Sequence, residues 1–118
     1  MIHFFIHNME NITLSIDTTR REKIIVKLTI DGNEFIKEEE GASRKNQAVL
    51  PMIMQLLKDH TLELQNLTAI EVNPGPGSFT GIRVGVAIGN ALSYILKIPI
   101  NGHMIENGTS LIEPVYAA

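Results

Sequence analysis

The sequence predicts an α/β domain in which a mixed sheet of about five strands carries two main helices, in the order βββαβαβ. Three observations predict this fold. Several short segments alternate apolar and polar residues as half-buried strands do, and two longer segments place apolar residues at helical spacing. The predicted helices fall between the later strands, so some strands must run parallel. With 118 residues, of which 44% are hydrophobic, the chain can build one core and not two.

The first three strands are expected to form a meander. The first begins at Ile12, where apolar residues alternate with small polar ones, and the second spans residues 24–30 with the same alternation. The turn Asp31-Gly32-Asn33 then leads into a third strand over residues 34–39. Strands buried on both faces read as continuous apolar runs, so the alternation indicates a sheet covered on one face and polar on the other.

The two helices alternate with the remaining strands. A first helix is predicted over residues 43–60, with Ser43 as its N-cap. A fourth strand over residues 68–72 leads to a second helix over residues 79–96, and a fifth strand begins near Pro99.

Both predicted helices are apolar over more than half of their circumference. Contact with one sheet needs a stripe of only about 100°, so other surfaces must cover the remainder. Packing of the two helices on each other covers part of it, and exposing the rest would forfeit about 5–10 kcal/mol. We therefore expect a partner interface built from the following residues: Val49, Leu50, Ile53, Met54, Leu57, Gly81, Ile82, Gly85, Ile88, Gly89 and Leu92.

Glycine recurs at every fourth position of the second helix, at Gly81, Gly85 and Gly89. Each glycine costs about 1 kcal/mol relative to alanine, which indicates that the helix approaches another element closely. That element is either a partner helix or the chain's own sheet. Arg83 and Lys97 interrupt the apolar run, which favours a helix in water over one in a membrane.

The segment between the fourth strand and the second helix is rich in glycine and proline. Ser78 is placed to cap the helix, whose free amides and positive dipole end could attract an anion. The residues of this candidate anion-binding turn are Gly75, Gly77, Ser78 and Thr80. A phosphate-binding P-loop would carry lysine after the glycines, and none stands there, so the alternative is that these residues only shape a tight turn.

The composition argues against several function classes. The absence of cysteine excludes disulfides and thiolate metal sites and fits a reducing cytoplasm. A net charge of −3 argues against a nucleic-acid surface. The sequence has no HExxH pair, and Ser78 is not part of a Gly-x-Ser-x-Gly elbow. We therefore expect no catalytic residue, no metal and no cofactor.

The chain divides into three parts in this interpretation. Residues 1–11 are an extension too short for a membrane span or an export signal, residues 12–103 form the folded domain, and residues 104–118 are a C-terminal tail. Met1 and Met9 both remain candidate translation starts.

Four motifs together resemble the TsaB (YeaZ) family of the Gcp-like (glycoprotease) superfamily. The motifs are Ser15-Ile16-Asp17-Thr18-Thr19, Leu50-Pro51, Pro74-Gly75-Pro76-Gly77-Ser78-Phe79-Thr80-Gly81-Ile82-Arg83-Val84-Gly85 and Ile98-Pro99-Ile100. The resemblance covers residues 12 to about 102, and the Gly-Pro-Gly-Ser-Phe-Thr-Gly string is its most specific part.

The resemblance implies an actin-like (ASKHA, ribonuclease H-like) half domain and a noncatalytic subunit for threonylcarbamoyladenosine synthesis on tRNA. It also implies that residues 44–60 and 79–96 form a four-helix bundle with a TsaD-type transferase, which a TsaE-type ATPase can join. The family usually has arginine where Pro74 stands and histidine near Lys45. Its usual second domain is missing after Gly102, although Glu113-Pro114-Val115-Tyr116 resembles the family's C-terminus.

Two alternatives from other classes stay open. The same helices could support a homodimer with a regulatory role, or the chain could be a peptidase or nucleotide hydrolase. Within the leading interpretation, the sequence leaves open whether the chain positions tRNA, stabilises the transferase or recruits the ATPase. It also leaves open what covers the polar face of the sheet.

Overall fold

The computed structural model describes residues 11–40 and 45–116, and its elements follow the predicted chain order. The N-terminal extension up to residue 10, the predicted cap Ser43 and Arg44 lie outside the described residues. The elements are β1 (Ile12–Asp17), β2 (Lys23–Ile30), β3 (Asn33–Glu40), α1 (Lys45–Asp59), a 3-10 turn (Leu64–Asn66), β4 (Ala69–Val72) and α2 (Phe79–Leu96).

The strands form one mixed sheet in the order β3-β2-β1-β4. The meander pairs β1 with β2 and β2 with β3 in antiparallel fashion, whereas β4 runs parallel to β1 after the crossover through α1. In the centre of the sheet, Leu14 lies opposite Leu28 on one side and Ile70 on the other. The mixed sheet and the two helices agree with the prediction.

The predicted fifth strand is not confirmed, because the described residues hold four strands, and Ile100 joins the sheet only through an isolated bridge to Ile70. The Ile70 N–H donates to the Pro99 carbonyl at 2.8 Å, and the Asn101 N–H donates to the Ile70 carbonyl at 2.9 Å. Asn101 then turns the chain away in a left-handed conformation, with φ of 46°. Its side-chain amide takes over the pairing, accepting from the Val72 N–H at 2.8 Å and donating to the Val72 carbonyl at 3.0 Å.

Both helices lie on one face of the sheet, and the core fills the space between. Along β1 and β2, buried residues alternate with partly exposed ones, as expected for a sheet covered on one face. The edge strand β3 is largely exposed, and Ile36 retains 58% of its surface. The side chains of the core that position the helices include Leu14, Ile16, Val26, Leu28, Val49, Ile53, Leu57, Ile70, Ile82 and Val86.

Candidate functional site

The first turn of α2 rests on the turn that follows β1. The Ser78 N–H donates to the Thr19 carbonyl at 2.6 Å, and the Ser78 hydroxyl accepts from the Gly81 N–H at a long 3.4 Å. A Cβ atom at Gly77 would lie 2.8 Å from the Cβ of Thr19, so a larger residue has no room there. These contacts fix where the helix begins relative to the sheet.

The buried hydroxyl of Thr18 joins β1 to α2 more deeply in the structure. It donates to the Gly81 carbonyl at 2.5 Å and accepts from the Gly85 N–H at 3.1 Å. A Cβ atom at Gly81 or Gly85 would approach Thr18 to less than 3.0 Å, and one at Gly89 would lie 3.3 Å from Val72. The glycine stripe therefore makes a close contact with the chain's own sheet.

The predicted interface residues separate into two groups. Eight of them are buried within the chain and pack in its own core: Val49, Ile53, Leu57, Gly81, Ile82, Gly85, Gly89 and Leu92. The other three remain accessible, since Leu50 and Met54 are each 45% exposed and Ile88 is half-buried. The physical reason is that the apolar arc of each helix is shared between the sheet and an outer surface, so a partner interface must use the outer part.

We call this accessible part the outer helix face, formed by Leu50, Met54, Phe79, Val84, Ala87 and Ile88. Asn46, Leu50 and Met54 follow one another at four-residue intervals along α1 and therefore share one side of that helix. Asn46 shares a cavity of about 450 Å³ with the α2 residues of the face. Sequence reasoning missed Phe79, Val84 and Ala87, although the width of the apolar arc on α2 was a signal for them.

A smaller and more polar cavity of about 330 Å³ adjoins the first and shares Asn46, Thr80 and Val84 with it. Its lining also includes Arg21 and Lys45. We call the two adjoining cavities the groove; its polar end is the smaller cavity, and its apolar end is lined by the α2 residues of the outer helix face.

The candidate anion-binding turn is divided between two places. Ser78 and Thr80 line the polar end of the groove. Gly75, with φ of +111°, instead packs beneath the backbone of Val115, and Gly77 packs on Thr19. The two glycines thus serve close packing, and only the two hydroxyl residues face the groove.

Lys45 begins α1, and its side chain is buried beside the polar end of the groove. Its ammonium donates to the carbonyl of Thr18 at 3.0 Å and to the carbonyl of Arg20. Burial lowers the pKa of Lys45 below 10.5, and the charge of Asp17 opposes that shift. The side chain acts as a clamp between α1 and the turn after β1.

Asp17 is the last residue of β1, and its side chain is hydrogen-bonded to the turn that follows the strand. Its carboxylate accepts from the Thr19 N–H at 2.9 Å, from the Thr19 hydroxyl at 2.7 Å and from the Asn73 amide at 3.2 Å. Burial raises the pKa of Asp17, but these hydrogen bonds together with the charge of Arg20 outweigh it and leave the pKa below 3.8. The ionised carboxylate is therefore the form that the fold favours.

Replacing Asp17 with asparagine should lower the stability at pH 7 and make it less sensitive to acid. Because the folded pKa is depressed, the ionised group stabilises the fold above its unfolded pKa, and this contribution is lost as the pH falls through the folded pKa. Urea unfolding should show a difference between wild type and Asp17→Asn that shrinks below about pH 4. Glu22→Gln, in the same turn, is the control, and a difference that stays constant down to about pH 2 would contradict the assignment.

Residues 111–116, which we call the return segment, run back along α2 to the turn before it. Asn90 binds the backbone of Ile112 twice, with both hydrogen bonds at 2.9 Å. The Val115 N–H donates to the Pro74 carbonyl at 2.7 Å. The ring of Tyr116 stacks on Phe79 at a centroid distance of 4.4 Å. Apart from the motif that ends at Tyr116, no pattern in the sequence predicts these contacts.

Arg83 also lies near Phe79, and its guanidinium is 6.0 Å from the centroid of the Phe79 ring. Arg83 and Phe79 both line the larger cavity of the groove. Tyr116, Phe79 and Arg83 thus form a stack at the rim of the groove.

Two further properties bear on function. Across residues 11–40 and 45–116, no group of three or more histidines and carboxylates is placed to hold a metal ion. By length and composition alone α2 could cross a membrane, since its mean hydropathy is 1.3. Part of this apolar character belongs to side chains that are buried in the core of the domain, namely Ile82, Val86 and Leu92.

Comparisons with known proteins find similarity to TsaD and to TsaB proteins. The family model of TsaD, tRNA N6-adenosine threonylcarbamoyltransferase, matches residues 24–105. The tRNA threonylcarbamoyladenosine biosynthesis protein TsaB of Bacillus subtilis is 35% identical over 115 residues, which are 89% of this chain and 49% of the relative. The TsaB protein of Haemophilus influenzae is 34% identical over 92 residues, which are 78% of this chain and 39% of the relative.

A solved structure, YeaZ from Pseudomonas aeruginosa, superposes with a TM-score of 0.74 at 28% identity, covering 80% of this chain and 44% of YeaZ. The chain spans less than half the length of these curated relatives. The similarity therefore concerns one part of each of those proteins.

Proposed function

This chain belongs to the TsaB (YeaZ) family, and on that premise we propose that it acts in tRNA threonylcarbamoyladenosine biosynthesis as a noncatalytic subunit. Its role is to bind a TsaD-type threonylcarbamoyltransferase through α1 and α2. A TsaE-type ATPase joins the same assembly. The chain itself makes no direct contact with tRNA in this proposal, consistent with its net charge of −3.

The observation that carries the proposal is the outer helix face. Leu50 and Met54 are each 45% exposed and Phe79 is 59% exposed, on two neighbouring helices of one surface. Exposed large apolar side chains on neighbouring helices are typical of interaction sites in proteins that are otherwise well packed. Two helices presenting apolar side chains offer a partner the geometry of a helix bundle.

The polar groups beneath this face support a noncatalytic role. Thr18 is engaged with two backbone groups of α2, and Lys45 with two carbonyls of the turn after β1. Asp17 is held by Thr19 and Asn73. These groups are committed to joining β1 to the helices, and the groove above them is lined mainly by apolar side chains at its larger end.

Co-expression with the TsaD-type subunit of the same organism tests the proposal. We expect the two chains to co-elute in gel filtration at a mass that includes both. Cells that lack this chain should lose threonylcarbamoyladenosine from their tRNA, and the chain supplied on a plasmid should restore it. Separate elution together with unchanged tRNA modification in the deletion strain would refute the proposal.

A second candidate function is self-association through the same face. Two copies related by a twofold axis would bring two pairs of helices together, and the exposed Leu50 and Met54 of each copy would be covered. Light scattering of the purified chain distinguishes the cases. A dimer that persists and excludes the TsaD-type subunit would favour a regulatory homodimer, and a monomer would exclude it.

A further inference from the structure

We propose that the partner helix seated in the groove carries a carboxylate, and that Arg83 at the rim binds it. This inference rests on the proposed function, because it assigns a chemistry to the partner of the outer helix face. It concerns the orientation and specificity of docking, which the apolar residues alone do not define.

Arg83 lines the larger cavity of the groove beside an aromatic ring. Its guanidinium stands 6.0 Å from the centroid of the Phe79 ring, within the range of a cation–π contact. Phe79 also contacts Tyr116, whose ring stacks on it at 4.4 Å with an interplanar angle of 25°. A guanidinium near an aromatic ring keeps its N–H edges available, and these match the two oxygens of a carboxylate. Arg83 is therefore positioned before a partner arrives.

The return segment holds this stack in place. The Val115 N–H is bound by the Pro74 carbonyl at 2.7 Å, directly before Tyr116. Asn90 binds Ile112 through two hydrogen bonds. The segment that carries Tyr116 is thus held at Ile112 and at Val115, and ordering Arg83 costs little additional entropy when an acceptor binds.

The groove carries positively charged side chains in both of its cavities. Arg21, Lys45 and Arg83 are among the residues that line the two cavities, and no carboxylate is. Neither α1 nor α2 has an acidic residue in its first turn, although both helices begin here with their positive dipole ends. Within residues 11–40 and 45–116, neither Arg21 nor Arg83 forms an ion pair. A locally positive surface thus stands on a chain whose net charge is −3.

The remaining lining decides which kind of partner fits. Beyond Arg83 the groove is bordered by Val84, Ala87 and Ile88, which offer a phosphate backbone nothing to bind. Nucleic-acid binding needs several clustered cations, and one of the three here, Lys45, already donates to two carbonyls. A protein helix with an apolar side and a carboxylate near the rim would match both the apolar lining of the groove and the charge of Arg83.

Binding of the full chain to the TsaD-type subunit, measured by titration calorimetry at low and high salt, tests the inference. We expect Arg83→Glu to weaken binding about tenfold or more, and Arg83→Lys to weaken it less because the charge remains. The wild-type affinity should fall between about 0.05 M and 0.5 M NaCl, and the affinity of Arg83→Glu should change less. Lys97→Glu is the matched control, since it reverses an exposed charge at the far end of the same helix.

The outcomes separate the two proposals. If the wild type binds and Arg83→Glu behaves as Lys97→Glu does, this inference is overturned and the proposed function stands. If the wild type does not bind the TsaD-type subunit at all, both fall. If Arg83→Glu instead abolishes a measurable affinity for tRNA while leaving the protein complex intact, the rim binds phosphate and the carboxylate assignment is rejected. Thermal unfolding of each variant confirms that Arg83, an exposed residue, has been changed without loss of the fold.

Discussion

Replacing Gly85 with valine is expected to lower the free energy of unfolding by about 3 kcal/mol or more, a large part of the stability of a small domain. The reason is steric. Even a Cβ atom at Gly85 would overlap the buried hydroxyl of Thr18, which donates to Gly81 and accepts from the Gly85 N–H. Moving α2 outward to make room would break both hydrogen bonds and open the core along β1. Chemical denaturation monitored by circular dichroism measures the loss.

Ala91→Val provides the control for this prediction, because Ala91 lies on the exposed side of the same helix. It imposes the same β-branched side chain on α2, at a cost of well under about 1 kcal/mol. If Gly85→Val unfolds with the same midpoint as Ala91→Val, the close contact between α2 and β1 does not exist as described. Loss of partner binding without any loss of stability would instead favour a glycine stripe used by a partner helix.

The double variant Leu50→Glu, Met54→Glu should bind the TsaD-type subunit about 1000-fold more weakly, since the loss of each anchor at the centre of an interface costs about 2 kcal/mol. The stability of the isolated chain should change little. Both side chains are 45% exposed, so the fold does not depend on their burial, and glutamate is a good helix former. Co-elution in gel filtration and calorimetric titration measure the binding.

Ile36→Glu is the matched control, because Ile36 is an exposed apolar residue on the sheet, away from the helices. It should leave binding intact. The outer helix face is rejected as the interface if the Leu50 and Met54 variant binds as tightly as Ile36→Glu does. Reduced binding that is accompanied by a lower unfolding midpoint would show that these side chains support the fold instead.

The sequence was sufficient to predict four strands and the two helices, because their signals are local. Alternation along residues 12–17 and 24–30 reflects burial of one sheet face, and the predicted helix over residues 79–96 coincides with α2. The predicted fifth strand was not confirmed, and the reason is again local. Pro99 has no N–H to donate and Asn101 turns the chain away, so pairing is completed by a side chain that no periodicity reveals.

The candidate site was predicted less completely, because periodicity does not say what lies opposite a helix. Gly81, Gly85 and Gly89 indicated a close contact, but the spacing is the same whether the neighbour is a sheet or a partner helix. Because both are apolar, Ile53 and Met54 were both predicted to be interface residues, although Ile53 is buried in the core and Met54 is exposed. The stack of Arg83 on Phe79 and Tyr116 joins residues far apart in sequence, so only the fold could bring it to light.

Two asparagines hold the chain on either side of one exposed loop. Asn101 fixes the point where the chain leaves the edge of the sheet, through Val72, and Asn90 fixes the point where it returns, through Ile112. Neither anchor depends on residues 106–110 between them, which are exposed, whereas Ile105 just before them is buried in the core. Residues 106–110 can therefore be lengthened, shortened or replaced while the domain on both sides keeps its structure. The same loop is a natural insertion point for a reporter, or for a second folded unit, in an engineered version of this protein.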